Sequence, residues 1–192
     1  MSSHVIPSSA GLSPGSSEEL TRALQSLEND SSGAEGRPTE GLGGTDHVKQ
    51  SVVCFNLAWD LLDLPARTAA QDERMLALGI ASLQHWRLRP DVQPRHLATG
   101  CWQISRICAV RRREEDATRF ASMCREASAG EGPFHLGYAH EALARAARLR
   151  NDLPAFQTHL EQARAFSTKI TADDERALLD ADLEQLGREQ LP

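Results

Sequence analysis

The sequence predicts an all-α chain, and three observations carry that expectation. Ala, Leu, Arg, Glu and Gln are abundant while aromatic and β-branched residues are scarce, a palette that favours helices over strands. From His47 onward, apolar residues recur at spacings of three and four. Helix-opening and helix-stopping signals divide that stretch into segments of helical length joined by short connections.

The 192 residues divide in two by composition. Residues 1–46 are rich in Ser, Gly, Pro and Glu and hold two arginines against seven carboxylates, a net −5 out of −6 for the chain. Such a segment has too little apolar surface to offset its ordering entropy, so it reads as a disordered acidic tail with one possible short helix, EELTRALQSL. Residues 47–192 form the folded domain of the prediction, and they are nearly neutral, at −1. A general nucleic-acid binder would show a basic domain, so nucleic acid is disfavoured as a partner.

In the first helix, Val48, Val52, Phe55, Trp59 and Leu62 fall on one stripe, which Leu64-Pro65 ends. Thr68-Ala-Ala-Gln71 has the form of a capping box and opens a second helix to about residue 87. Pro90 and Pro94 punctuate the next turn. Helices are then expected over about 95–112, 114–128, 133–150 and 153–170, with Gly130-Glu-Gly-Pro133 and Asn151-Asp152 as turns. Thr171 is placed to cap a last acidic helix, in which Ala177, Leu178, Ala181 and Leu183 are the expected apolar positions. Short loops between helices imply antiparallel hairpins plus a terminal cap.

Sliding the chain by 36 residues aligns Phe120, Cys124 and Ala127 with Phe156, Leu160 and Ala163, and Asp116 with Asp152. Ile107-Cys108 meets Leu143-Ala144 in the same register. A hydrophobic and a small residue, then a turn with Asp, then an Ala near the end of the second helix, resemble the tetratricopeptide pattern, and NDLPAFQTHLEQA (151–163) is similar to its turn and second helix. Phe120 and Phe156 stand where that family has a small alanine. The longer pattern WDLLDLPARTAAQDERM, SLQHW, WQISRICAV and YAHEALARA also resembles an uncharacterised group of bacterial helical-repeat proteins. The resemblance implies about three hairpins stacked as a short superhelix over residues 47–170, with the last helix as its solubilising cap.

The same resemblance implies a concave face built by the first helix of each hairpin. Carried over in the 36-residue register, it selects Trp102, Ser105, Arg112 and Arg113, and then Tyr138, Glu141, Arg145 and Arg148. Guanidinium groups pair bidentately with carboxylates while rings supply apolar area, so such a groove suits a protein or peptide partner, in particular an acidic one. The acidic last helix entering a neighbour's groove would give self-association.

Chemistry-bearing constellations are weak. Cys54, Cys101, Cys108 and Cys124 include no Cys-x-x-Cys pair and read as free buried thiols of a reducing cytoplasm. Cys101 and Cys108 lie about 10.5 Å apart along one helix, too far for a disulfide or a shared zinc. A bridge from Cys108 to Cys124 across a hairpin is the remaining redox option. His135 and His140 lack the i, i+4 spacing of a metal pair. No cofactor or metal is expected, and neither a membrane span nor a secretory leader is apparent. The alternative to an interaction module is an enzyme or small-ligand protein using His85, Asp72, Glu73 and Arg106 across hairpins, since Asp72 and His85 are about 20 Å apart on one helix.

Overall fold

In the computed structural model, residues 44–188 are described. The acidic segment, with the one short helix expected in it, lies up to residue 43 outside the described residues. Among those that are described there are seven helices and no strand: α1 Gly44–Leu62, α2 Ala69–Leu88, α3 Pro94–Val110, α4 Glu114–Ala127, α5 Pro133–Leu149, α6 Leu153–Ser167 and α7 Asp173–Arg188. The chain is all-α. Its helices pair as the hairpins α1/α2, α3/α4 and α5/α6, each packed on the next, with α7 against α5 and α6. That arrangement is compatible with a helical-repeat protein. No helix among the described residues is long and apolar enough to cross a membrane.

Local chemistry accounts for the boundaries. At the end of α1, the Arg67 guanidinium donates to the carbonyls of Leu61, Leu62 and Leu64 at 3.3, 2.9 and 3.2 Å and pairs with Asp72 at 2.8 Å. One cation thus satisfies the orphan carbonyls of one helix and ties them to the start of the next. The expected capping box is present: Gln71 N donates to Thr68 Oγ1 at 3.2 Å, and Thr68 N to Gln71 Oε1 at 2.8 Å. Pro94, Pro133 and Pro154 occupy first-turn positions of α3, α5 and α6, where a missing N–H costs nothing.

The α3/α4 and α5/α6 turns are built alike. Arg112 (φ 57°) and Asn151 (φ 58°) take the left-handed conformation. Behind them, Arg113 N donates to Cys108 O and Asp152 N to Ala147 O, both at 2.9 Å, the long return bond of a Schellman cap. This corrects the repeat register. Pro94–Val110 and Pro133–Leu149 are 39 residues apart, as are the two turns, not 36. A three-residue slip is nearly one helical turn and keeps every residue on about the same face, so apolar periodicity alone does not separate the two registers. In the true register Arg106 corresponds to Arg145, and Ser128 to Ser167; both serines are buried.

The core runs along the hairpin seams, with Met75, Ile104, Ile107, Leu179 and Leu186 among its largest fully buried side chains. Ser82 Oγ bonds Ser51 O across α1/α2 at 2.8 Å, and Gln103 Nε2 bonds Phe55 O at 2.9 Å, joining α3 to α1. Gly100 lets α3 approach α2: a Cβ there would stand 2.8 Å from the Trp86 ring. In α7 the buried stripe is Leu179, Asp182, Leu183 and Leu186. The expected positions Ala177 and Ala181 are exposed and Leu178 is half-buried. The helix is therefore rotated so that a carboxylate shares its inward face with three leucines.

Candidate functional site

Helices α1, α3 and α5 touch in a row through aromatic side chains. The Trp59 and Trp102 rings are 5.5 Å apart, and Trp102 meets Tyr138 edge-on at 4.7 Å. All three are buried, so the aromatic positions form the floor of this face rather than an open groove wall.

Polar groups are threaded through that floor. Trp102 Nε1 donates to Glu141 Oε2 at 2.8 Å, and Glu141 Oε1 accepts from Arg145 Nε at 2.9 Å. Arg106, one turn along α3 from Trp102, has its guanidinium 5.2 Å from the Trp59 ring centroid and 5.9 Å from that of Trp102. Its Nη1 donates to Asp182 Oδ1 of α7 at 2.8 Å, and the Tyr138 hydroxyl donates to Asp182 Oδ2 at 3.1 Å. Glu141 and Asp182 are 0% and 1% exposed, Arg145 and Arg106 6% and 8%. Two cations and two carboxylates are thus taken out of water together, each with an opposite charge at hydrogen-bond distance. At the C-terminal end of α5, Arg148 donates to the Leu186 carbonyl of α7 and lies 6.0 Å from the Phe156 ring centroid.

The electrostatics follow from burial. Desolvation alone opposes charge on Arg106, but Asp182 and Glu141 outweigh it, so its proton is held more tightly than usual. Burial first, and then Asp182 and Glu141, push the Tyr138 phenol above its ordinary range, leaving it a hydrogen-bond donor at physiological pH.

The eight residues expected to line a groove divide accordingly. Trp102, Tyr138, Glu141 and Arg145 come together in the buried network, and Arg148 stands at its end on α7. Ser105 faces the other way: its Oγ bonds Ala117 O at 2.8 Å inside the α3/α4 seam. Arg112 is exposed at the left-handed turn, and Arg113 pairs with Asp116 at 2.6 Å. Three residues central to the network, Trp59, Arg106 and Asp182, were not among the eight. The 39-residue register would have paired Arg106 with Arg145, and the i, i+3, i+4, i+7 spacing of Leu179, Asp182, Leu183 and Leu186 would have placed Asp182 inward.

His85, Asp72, Glu73 and Arg106 each meet a different partner. His85 Nδ1 is 2.9 Å from His47 Nδ1, Asp72 holds Arg67, Glu73 holds Arg111, and Arg106 holds Asp182. A second histidine pair, His140 and His159, joins α5 to α6 with Nδ1 atoms 3.2 Å apart. Among the described residues, no group of three or more His, Cys, Asp or Glu side chains is placed to hold a metal ion.

All four cysteines are buried and free. Cys101 lies near enough to Cys124 to influence its thiol, while the Cys108 carbonyl accepts from Arg113 N at the α3/α4 turn. Burial pushes the Cys101 and Cys108 thiols up to about 11, and burial with the neighbouring Cys101 raises Cys124. Thiols so raised are poor nucleophiles. The chain matches no family model, no curated protein and no solved structure.

Proposed function

We propose that the chain is a protein-interaction module: a helical-repeat frame of tetratricopeptide-like construction that binds a protein or peptide on the face formed by α3 and α5. The observation that carries this reading is the arginine, aromatic and carboxylate array on that face, which already holds a helix, α7, by side chains suited to recognition. Arg106 is fixed by two indole rings, Tyr138 and Arg148 are directed at the same helix, and the polar atoms are paired rather than poised for bond chemistry. The 39-residue spacing of two equally built hairpins supports the repeat construction. Four free buried thiols are what a reducing cytoplasm would maintain.

Photo-crosslinking in the native cell tests the reading. A photoreactive residue is introduced at Arg112, exposed at the turn that follows α3, or at Arg148, near the end of α5, or at Arg119 or Gln157, exposed on α4 and α6. A shared partner captured at the first two positions and not at the others is the expected result. Capture confined to Arg119 and Gln157, or at none of the four, would contradict it.

A further inference from the structure

The α5/α6 hairpin carries a pair of imidazoles that stands apart from the arginine and carboxylate network. His140, midway along α5, and His159, on α6, meet with their Nδ1 atoms 3.2 Å apart. Their ring centroids are 5.3 Å apart and the planes are inclined at 43°. Both side chains are half-buried and so remain within reach of solvent. They are 19 residues apart in sequence and on different helices, which is why no i, i+4 pattern announces them.

Packing sets the pair in place. Phe166 of α6 stacks on the His140 ring, with centroids 5.5 Å apart and planes at 23°. The turn between the helices is closed by Asp152 N donating to Ala147 O at 2.9 Å, and by the Asp152 carboxylate accepting from Ala155 N at 3.1 Å. The two helices are therefore held in register before anything binds, and a ligand has little further chain to order.

The distance between the rings suits an ion. Bonds of about 2.0–2.1 Å to one metal at a near-tetrahedral angle put two ligand nitrogens about 3.3 Å apart. The 3.2 Å between His140 and His159 matches that span. His47 and His85, at 2.9 Å, stand closer than the span, at the usual length of a hydrogen bond. Burial and the neighbouring charges also favour ligation. Desolvation, His159 and Arg125 lower the affinity of His140 for a proton, and at His159 desolvation and Arg125 outweigh Asp152. Both rings are thus neutral at neutral pH, and a neutral imidazole offers the lone pair that an imidazolium lacks. On a bound cation Arg125 acts as a repulsion and Asp152 as an attraction. The cysteines do not compete, because burial holds their thiols protonated.

We infer that His140 and His159 form a two-imidazole site for a first-row transition-metal dication such as Zn2+, coordinated through both Nδ1 atoms. Nitrogen donors select such ions over Mg2+ and Ca2+, which take oxygen. Coordination at Nδ1 leaves the proton of each ring on Nε2. Among the described residues, no third His, Cys, Asp or Glu joins the pair, so water completes the shell. The ion clips α5 to α6 and stabilises the folded chain by mass action. The site is independent of the interaction reading above.

The test titrates the full chain, free of any affinity tag, with ZnCl2 at pH 7.5 and reads binding by calorimetry. The natural chain takes up one equivalent at this site. His140→Gln and His159→Gln each weaken that binding at least tenfold, and His47→Gln leaves it within twofold. No saturable binding, binding retained by either of the first two variants, or an equal loss in His47→Gln would overturn the inference. Should a variant fail to fold, nitrogen-15 NMR of the histidine rings in the natural chain decides. Zn2+ moves the signals of His140 and His159 to the form bound at Nδ1 and protonated at Nε2. Unmoved signals at those two rings would overturn the inference.

Discussion

At the residue scale the account turns on Arg106 and Asp182. Removing one member of a buried ion pair leaves the other charged and unsolvated, at a cost of about 3–5 kcal/mol. Arg106→Met is expected to lose stability in that range, read as a lower urea midpoint with an unchanged m-value. The double change Arg106→Met with Asp182→Leu should recover to within about 1–2 kcal/mol of the natural chain, because the desolvation cost of both ions disappears with their attraction. A double variant as unstable as the sum of the singles would show that the two side chains do not act on each other. Trp102→Phe removes the indole N–H from Glu141, which keeps Arg145, so its expected loss is smaller, about 1–2 kcal/mol.

At the scale of the elements, the helix seams carry titratable pairs with a definite pH signature. Desolvation and the neighbouring His47 lower the affinity of His85 for a proton. Desolvation, His159 and Arg125 do the same for His140, while desolvation and Arg125 outweigh the opposing Asp152 at His159. With folded pKa values below the ordinary 6.5, the unfolded chain binds more protons once pH falls below that value. Stability is therefore full above about pH 6.5 and is lost as pH falls through the lower folded values. Urea midpoints across pH 7.5 to 5 should decline from about pH 6.5 downward, and His140→Gln should flatten part of that slope; a midpoint independent of pH would contradict the burial of these rings. Gly100→Ala forces a methyl group against the Trp86 ring and Leu83, an overpacking worth about 1–3 kcal/mol, readable as a lower Tm.

Element boundaries were largely legible in the sequence because they are local chemistry. The Thr68–Gln71 box, the first-turn prolines and the Asn151-Asp152 turn are each decided within four or five residues. The extra turn at the start of α1 and the left-handed Arg112 left no such mark, because nothing in a Gly-Gly-Thr-Asp run or an Arg-Arg-Arg run announces them. The candidate site was legible only in part, for a reason of a different kind. Trp102, Tyr138, Glu141 and Arg145 share a face in either register, whereas the inward turn of α7, and with it Asp182, depends on contacts with helices 40 to 80 residues away. In the sequence Arg106 is grouped with His85, Asp72 and Glu73, and its place beside Trp59 and Asp182 depends on contacts with α1 and α7.

At the scale of the whole described unit, three hairpins supply a frame and the fourth position in the row is taken by a helix with a buried charge. A repeat stack ends in a polar-faced helix for solubility, and the exposed acids of α7 meet that need. The inward Asp182 goes further, binding α7 to α3 as well as to its neighbours α5 and α6. The most direct measurement of this arrangement is amide hydrogen exchange on the full chain with and without Asp182→Asn. Exchange should quicken at least tenfold along α7 while α1 and α2 keep their rates. Unchanged exchange in α7, or equal acceleration in every helix, would contradict a face that holds α7 through Asp182.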